Sequence, residues 1–383
     1  MPRLEGVVWD HPRATVPIAA ATDAFLKLRP DVDLVWHRRP LSAFEFEPIA
    51  ETAAGADLLI FDHPFCGDIV ASGCLLPVDG LAEGDFVGPS LATYRLGGHV
   101  WAVPIDAACQ MSVWRPDLLS RLDAEPPRTW IETIDLGRKA APRGLRVAVA
   151  FAGVHAFMSW YSLCASLGRA CAVEPDAPLV DRGTGIQALE LLRDLAAVAD
   201  PRSVDWNSIA LQDALAREPD LVFCPAVYGF ATYAEPDRPT PLRFGPLAGA
   251  GPMPHAGSTI GGAGLGISGR VRDDPAREEA ARAFARFASL PVTQIELFGR
   301  NRGQPARIEG WTDPDLDARF GGFFTATRRT LEAAWVRPRF QGYLKFQHTG
   351  GRIVEAFLRG DGTPAATLQR LETAWNDPNL PEA

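Results

Sequence analysis

Two tripeptides carry the residue types most able to do chemistry. Asp10-His11-Pro12 and Asp62-His63-Pro64 each close a run of apolar, β-favouring residues, in the stretches GVVWDHPR and DLLIFDHPF, and together they use two of only seven histidines. A carboxylate beside an imidazole can act as an acid–base pair, as two metal ligands or as a grip on a polar solute. A structural reading competes with these. A polar residue before a Pro at the first helical position is a helix start, with the Asp carboxylate accepting exposed backbone N–H groups. That reading accounts for Asp10, Asp62 and both prolines better than for His11 and His63, because His is not a preferred cap. Metal binding is disfavoured, since adjacent side chains of an extended backbone point apart and no His pair has the spacing that sets two ligands on one helix face. No metal is expected.

Basic and aromatic residues gather near these corners. Arg13 falls at the start of the first helix, and Arg38 and Arg39 end the second strand. With the two histidines and nearby helix N-termini they favour an anionic solute such as a carboxylate or acidic sugar. Trp9, just before the first tripeptide, and Trp160 offer flat apolar faces of the kind that pack on a sugar ring. Trp101, Trp114, Trp130 and Trp375 are read as core. Gly264-x-Gly266-x-x-Gly269 matches a dinucleotide-binding pattern formally but opens no helix, so it is read as a strand where backbones approach closely, with Gly262 exposing its N–H to a ligand. No G-x-S-x-G elbow is present, and no cofactor is expected.

The elements that would position these groups alternate in type. Gly6–Asp10, residues 31–39 and the apolar stretch ADLLIFD read as strands. Residues 14–28 and FEFEPIAETAAG read as helices between them, a strand–helix repetition that implies an α/β fold with a sheet covered on both faces. HVWAVPIDAACQMSVW reads as two strands broken near Pro104–Ala107, and LRVAVAF as a buried strand. TGIQALELLRDLAAVAD reads as a helix with Ala188, Leu191, Leu195 and Val198 on its stripe. Asp274 and Pro275 mark another helix start, and Leu368, Leu371 and Trp375 a C-terminal helix.

Composition narrows the class. The 383 residues, 47% hydrophobic and 22% charged, are globular usage and long enough for two lobes. A net charge of −9 without a basic stripe argues against a nucleic-acid partner. No run is long and apolar enough to span a bilayer, and the N-terminus does not read as a signal peptide. The six cysteines are scattered without a Cys-x-x-Cys pair, and read as buried thiols of a reducing compartment.

The order of segments resembles the extracellular solute-binding proteins of bacterial ABC transporters, of the carbohydrate type (family 1). The resemblance rests on FLKLRPDVDLVWHRRPL, GADLLIFDHPFCGDIVASGCLLPVDGL, YRLGGHVWAVPIDAACQMSVWRPDLL, PPRTWIETIDLGRK, GSTIGGAGLGISGRVRDDPAREEAARAFARFAS and GRNRGQPARIEGW, in that order along nearly the whole chain. It implies a type II periplasmic-binding-protein fold, with a ligand cleft between two lobes joined by crossing strands. Lobe 1 would comprise residues 1–107 and 259–308, lobe 2 residues 108–258 and 309–383. It implies a monomer that captures a small solute by hinge closure and passes it to an ABC transporter permease, without enzymatic activity. His11, Arg39 and His63 would hold the solute from the first lobe, with Arg302 joining from the returning segment. Trp160 and Tyr228, the latter where the family often places an aromatic, would hold it from the second, and Asp106 would sit near the hinge. The resemblance places the protein in the periplasm. The lack of a signal makes a cytoplasmic enzyme or sensor, with His63 and Asp10 as acid–base groups, the alternative.

Overall fold

In the computed structural model, residues 1–251, 256–377 and 379–380 are described. The chain opens with β1 (Arg3–Trp9), α1 (Pro12–Leu28), β2 (Asp33–Arg39), α2 (Leu41–Phe46), α3 (Ile49–Gly55), β3 (Leu58–Phe61), α4 (Cys66–Ser72), β4 (Leu75–Leu76), β5 (Arg95–Leu96), β6 (His99–Val100) and β7 (Val103–Trp114). It continues through α5 (Pro116–Arg121), α6 (Trp130–Ala140), β8 (Arg146–Val147), α7 (Val154–Ser166), α8 (Arg182–Ala196), α9 (Ser208–Arg217), β9 (Leu221–Tyr228), β10 (Arg243–Gly245) and β11 (Ile260–Ser268). The α-helices after it are α10 (Pro275–Ser289), α11 (Ile308–Thr312), α12 (Pro314–Arg319), α13 (Phe323–Glu332), α14 (Tyr343–Leu358) and α15 (Pro364–Trp375), among the described residues.

Two compact units share this chain. Unit 1 holds residues 1–108, 261–318 and 339–343, and unit 2 holds residues 109–260, 319–338 and 344–383. The chain changes unit within β7 and again at the start of β11. Residues 309–318 cluster with unit 1, because Trp311 is buried and its indole Nε1–H donates to Pro305 O at 2.6 Å. Residues 339–343 do so because the Arg339 guanidinium ties the carbonyls of Ala92, Thr93 and Arg95.

Unit 1 is built on the strand order β2-β1-β3-β11. β1 runs parallel to both β2 and β3, and β11 pairs antiparallel with β3. All four residues of β3 are buried, as a strand covered on both faces requires. Phe284 of α10 meets Phe25 of α1 at 5.2 Å and Trp36 of β2 at 6.0 Å, so apolar rings seal one face. Gly6 is a close-approach position, since a side chain there would strike the Trp36 ring. Fully buried Asp57, at the head of β3, accepts the Glu5 N–H at 2.8 Å and faces Arg270 and Arg277 at 3.0 and 2.5 Å. This network anchors the sheet end remote from the tripeptides.

In unit 2, β9 pairs antiparallel with β7 and parallel with β8, and β10 pairs antiparallel with β7. α7 is buried along almost its whole length, as a core helix with apolar residues all round must be. α6 begins with a capping box in which Thr129 and Glu132 satisfy each other's backbone N–H groups.

Four expectations need correction. β7 runs unbroken through Pro104–Ala107; Pro104 sits near its start, and its carbonyl accepts from Gln294 Nε2 at 2.8 Å. FEFEPIAETAAG is two helices, because Pro48 interrupts it. In LRVAVAF only Arg146–Val147 is strand. Beyond it the backbone turns to other partners, Val149 N donating to Ser203 Oγ at 3.2 Å and Phe151 N to Ser203 O at 3.0 Å. The buried stripe of α8 is Ala188, Leu189, Leu192 and Leu195, rotated from the one expected.

Candidate functional site

Both Asp-His-Pro corners lie just beyond the carboxyl ends of neighbouring strands, β1 and β3, where open α/β sheets bind ligands. The structure makes them unlike one another. At the first, His11 and not Asp10 caps α1. His11 is extended (φ −148°), its Nδ1 accepts the Arg13 N–H at 3.1 Å, and Pro12 occupies the first turn. Asp10 is left exposed, its carboxylate 3.5 Å from Arg38 Nη1 and its N–H donated to Arg39 O at 2.8 Å. At the second, Asp62 is the cap. One carboxylate oxygen accepts the His63 N–H at 2.8 Å and lies 2.9 Å from His63 Nδ1. The expectation that adjacent Asp and His point apart therefore fails here: the turn His63–Phe65 folds the imidazole back over the preceding carboxylate. His63 is buried edge-on to Tyr94, with ring centres 6.3 Å apart, while Asp62 keeps 20% of its side chain exposed.

Two of the cations expected at this rim, Arg13 and Arg39, are already engaged. Arg13 is 5% exposed and grips Asp106 with two donors, Nε at 2.8 Å and Nη2 at 2.5 Å. A bidentate pair this deep is a structural rivet rather than an open anion hook. The next residue, Ala107, is held by Gln304, whose backbone carbonyl accepts the Ala107 N–H at 3.0 Å and whose side-chain amide donates to Ala107 O at 3.1 Å. Gly262 (φ +118°) passes over the Asp106 carbonyl so closely that any side chain would collide with it. Arg39 is also buried. It donates to Glu47 at 3.0 Å, Thr52 Oγ1 at 3.1 Å and Ile60 O at 3.1 Å. Desolvation lowers its pKa, and the Glu47 carboxylate works against that. Trp9 is buried with its ring 4.9 Å from Phe44 of α2. Arg302 is exposed, in a left-handed turn (φ +73°).

In unit 2 the two expected aromatics part company. Trp160 is fully buried, stacked at 5.5 Å on Phe157, and its Nε1–H donates to Gly185 O at 3.1 Å, so its ring faces are spent on packing. Tyr228, at the carboxyl end of β9, is half-buried, and its hydroxyl lies 3.0 Å from Thr259 Oγ1. Gln212 fixes the following turn by donating to Tyr228 O at 3.1 Å and accepting the Phe230 N–H at 2.9 Å.

Around Tyr228 lies a polar network that sequence reading missed. Gln110 Nε2 donates to Ser159 Oγ at 3.2 Å, and the Ser162 hydroxyl donates to Gln110 Oε1 at 2.6 Å. Thr259 N donates to Ser162 Oγ at 3.1 Å. His155 sits edge-on to Tyr228 at 6.5 Å, with Nδ1 3.2 Å from Ser208 Oγ. Burial, aided by the positive charge of nearby Arg337, lowers the His155 pKa to about 4, so this imidazole is neutral at ordinary pH. Arg337 itself is buried and donates to Gln347 Oε1 at 2.9 Å. These residues are scattered from 110 to 347, and only folding unites them. The one sequence signal was His155 with Ser159 and Ser162 among apolar residues in HAFMSWYSLC. At strand ends, unit 1 thus presents the Asp10 and Asp62 carboxylates, which suit hydrogen bonding to hydroxyl groups, and unit 2 the half-buried Tyr228. No group of three or more His, Cys, Asp and Glu suited to a metal occurs among the described residues.

No family model matches the chain. It is 23% identical over 139 residues to a maltotriose-binding protein of Pyrococcus abyssi, a match spanning 35% of this chain and 30% of that protein. Among solved structures, the maltose-bound MalE3 of T. maritima superposes with a TM-score of 0.82 at 20% identity, covering 98% of this chain and 99% of the other. An ABC transporter solute-binding protein from Agrobacterium radiobacter, in complex with ribitol, gives 0.81 at 20% identity, covering 98% of each. The chain therefore has the two-lobed α/β fold of ABC-transporter solute-binding proteins, as the order of its segments implied.

Proposed function

We propose that the protein is a substrate-binding protein that captures a small, neutral, polyhydroxylated solute by lobe closure and delivers it to an ABC transporter permease, without altering it chemically. The observation that carries this reading is full-length likeness in fold to solute-binding proteins, among them those bound to maltose and ribitol. The local chemistry supports a neutral solute over the anionic one expected from composition. Arg13 and Arg39 are committed to Asp106 and Glu47, whereas Asp10 and Asp62 keep carboxylate surface able to accept hydroxyl hydrogen bonds. Asp10, Asp62 and the edge of the His63 corner in unit 1, and the half-buried ring of Tyr228 in unit 2, are the candidate solute contacts. Function in the periplasm as a monomer belongs to the same proposal. Calorimetric titration with a solute found by screening tests it. Tyr228→Ala and Asp62→Asn should each weaken binding about tenfold or more while leaving the folded fraction intact. Unchanged affinity in both variants would sink the assignment of these residues.

A further inference from the structure

Within unit 2, at the far end of β7, a cavity of about 340 Å³ lies between the strand and the loop that leads into α6. Ser112 and Trp114, two residues apart on β7, share one face of the sheet and line it. Trp114 stands opposite Phe223 on β9, five residues back from Tyr228, about 17 Å along the strand. The cavity is therefore not the Tyr228 site. Its walls are fixed by backbone hydrogen bonds. Ser112 N donates to Pro246 O at 3.3 Å, Gly249 N to Arg128 O at 3.2 Å and Trp130 N to Gly249 O at 2.9 Å. Gly245 keeps the face open, since a side chain there would lie 3.0 Å from the Trp114 ring and 3.4 Å from Ser112 Oγ. Pro126, Pro127 and Pro246 add flat apolar walls.

The polar groups of this cavity are unspent. Ser112 is 2% exposed, yet its hydroxyl makes no hydrogen bond among the described residues, a cost that a ligand would relieve. The indole Nε1–H of half-buried Trp114 and the guanidinium of exposed Arg128 likewise have no partner among the described residues. All three can donate, and none of the described residues lining the cavity is acidic. The nearby Glu132 carboxylate is turned to the backbone, accepting the Arg128 and Thr129 N–H groups at 2.7 and 3.2 Å. An acceptor-rich, flat ligand suits donors set among rings, and the volume lies at the small end of ligand pockets. We propose that this cavity binds a planar aromatic carboxylate, its ring against Trp114 and the prolines and its carboxylate on the Arg128 guanidinium. A guanidinium fork matches a carboxylate with two parallel hydrogen bonds, which a neutral amide cannot reproduce. This site is independent of the solute bound at Tyr228.

Calorimetric titration of the full chain with 2-naphthoate, and with neutral 2-naphthamide as its isostere, tests this. The acid should bind saturably, one molecule per chain, and about tenfold more tightly than the amide. Arg128→Gln should weaken the acid about tenfold and leave the amide unchanged, which also shows that the variant is folded. Trp114→Leu, checked for folding by urea unfolding, should weaken both ligands. Tyr228→Ala should alter neither, so a failure of the solute reading is told apart from a failure here. The proposal is overturned if the acid shows no saturable binding, or if the amide binds as tightly. It is overturned equally if Arg128→Gln leaves the acid unaffected, or if Tyr228→Ala weakens it, which would put the acid at the Tyr228 site.

Discussion

His155 offers the sharpest physical prediction. In the folded protein its pKa falls from 6.5 to about 4, through burial and the Arg337 charge. Released into the unfolded chain it returns to about 6.5. Between these values the unfolded state binds a proton that the native state refuses, so stability must rise with pH there. The contribution is therefore intact above about pH 6.5, falls as the pH drops, and is fully lost near pH 4. A gap of about 2.5 pKa units corresponds to about 3 kcal/mol in total, with about 2 kcal/mol already gone at pH 5. The perturbation is His155→Asn, which keeps a polar partner for Ser208 but cannot titrate. Urea unfolding of both proteins at half-unit steps from pH 7 to pH 4.5 gives the two stability curves. The variant is expected to start lower at pH 7, from lost packing, and the gap should shrink by about 2 kcal/mol by pH 5. Parallel curves across that interval would show that His155 does not titrate as its surroundings require.

Two further substitutions probe the frame behind the unit 1 corner. Gly262→Ala puts a side chain at φ +118° against the Asp106 carbonyl and should cost about 3 kcal/mol, read as a lower urea midpoint at unchanged m-value. Asp106→Ala strands the buried Arg13 guanidinium and should destabilise by about 3–5 kcal/mol, whereas the double change Arg13→Met with Asp106→Leu should recover most of that in the same assay.

How much of this was legible beforehand divides along physical lines. Strand–helix alternation, the Asp274 cap with Pro275, and the core face of α15 are set by neighbours in sequence, and periodicity exposes them. The second Asp-His-Pro corner was legible as a cap but not as a hydrogen-bonded Asp62–His63 pair, because that depends on the tight turn that follows. At the first corner the roles reversed: His11 took the cap, and the Asp10 carboxylate was left facing Arg38. The fate of the arginines was hidden altogether. Arg13 meets a carboxylate 93 residues away, and composition cannot distinguish that rivet from a free cation. Trp160 and Tyr228 both looked suited to stacking, yet one is walled in by Phe157 and the other stands at a strand end. The Gln110–Ser162–Thr259 network joins residues that share no local pattern.

The central claim is capture of a neutral polyhydroxylated solute, and a melting-temperature screen of the purified protein against sugars, polyols, sugar acids and aromatic acids tests it most directly. A ligand confined to the native state stabilises it by about 2.7 kcal/mol at a hundredfold excess over its dissociation constant, a shift readily seen in unfolding. At least one neutral sugar or polyol should raise the midpoint saturably and be recovered chemically unchanged. A response confined to acids, no response across the panel, or recovery of a converted ligand would contradict the account.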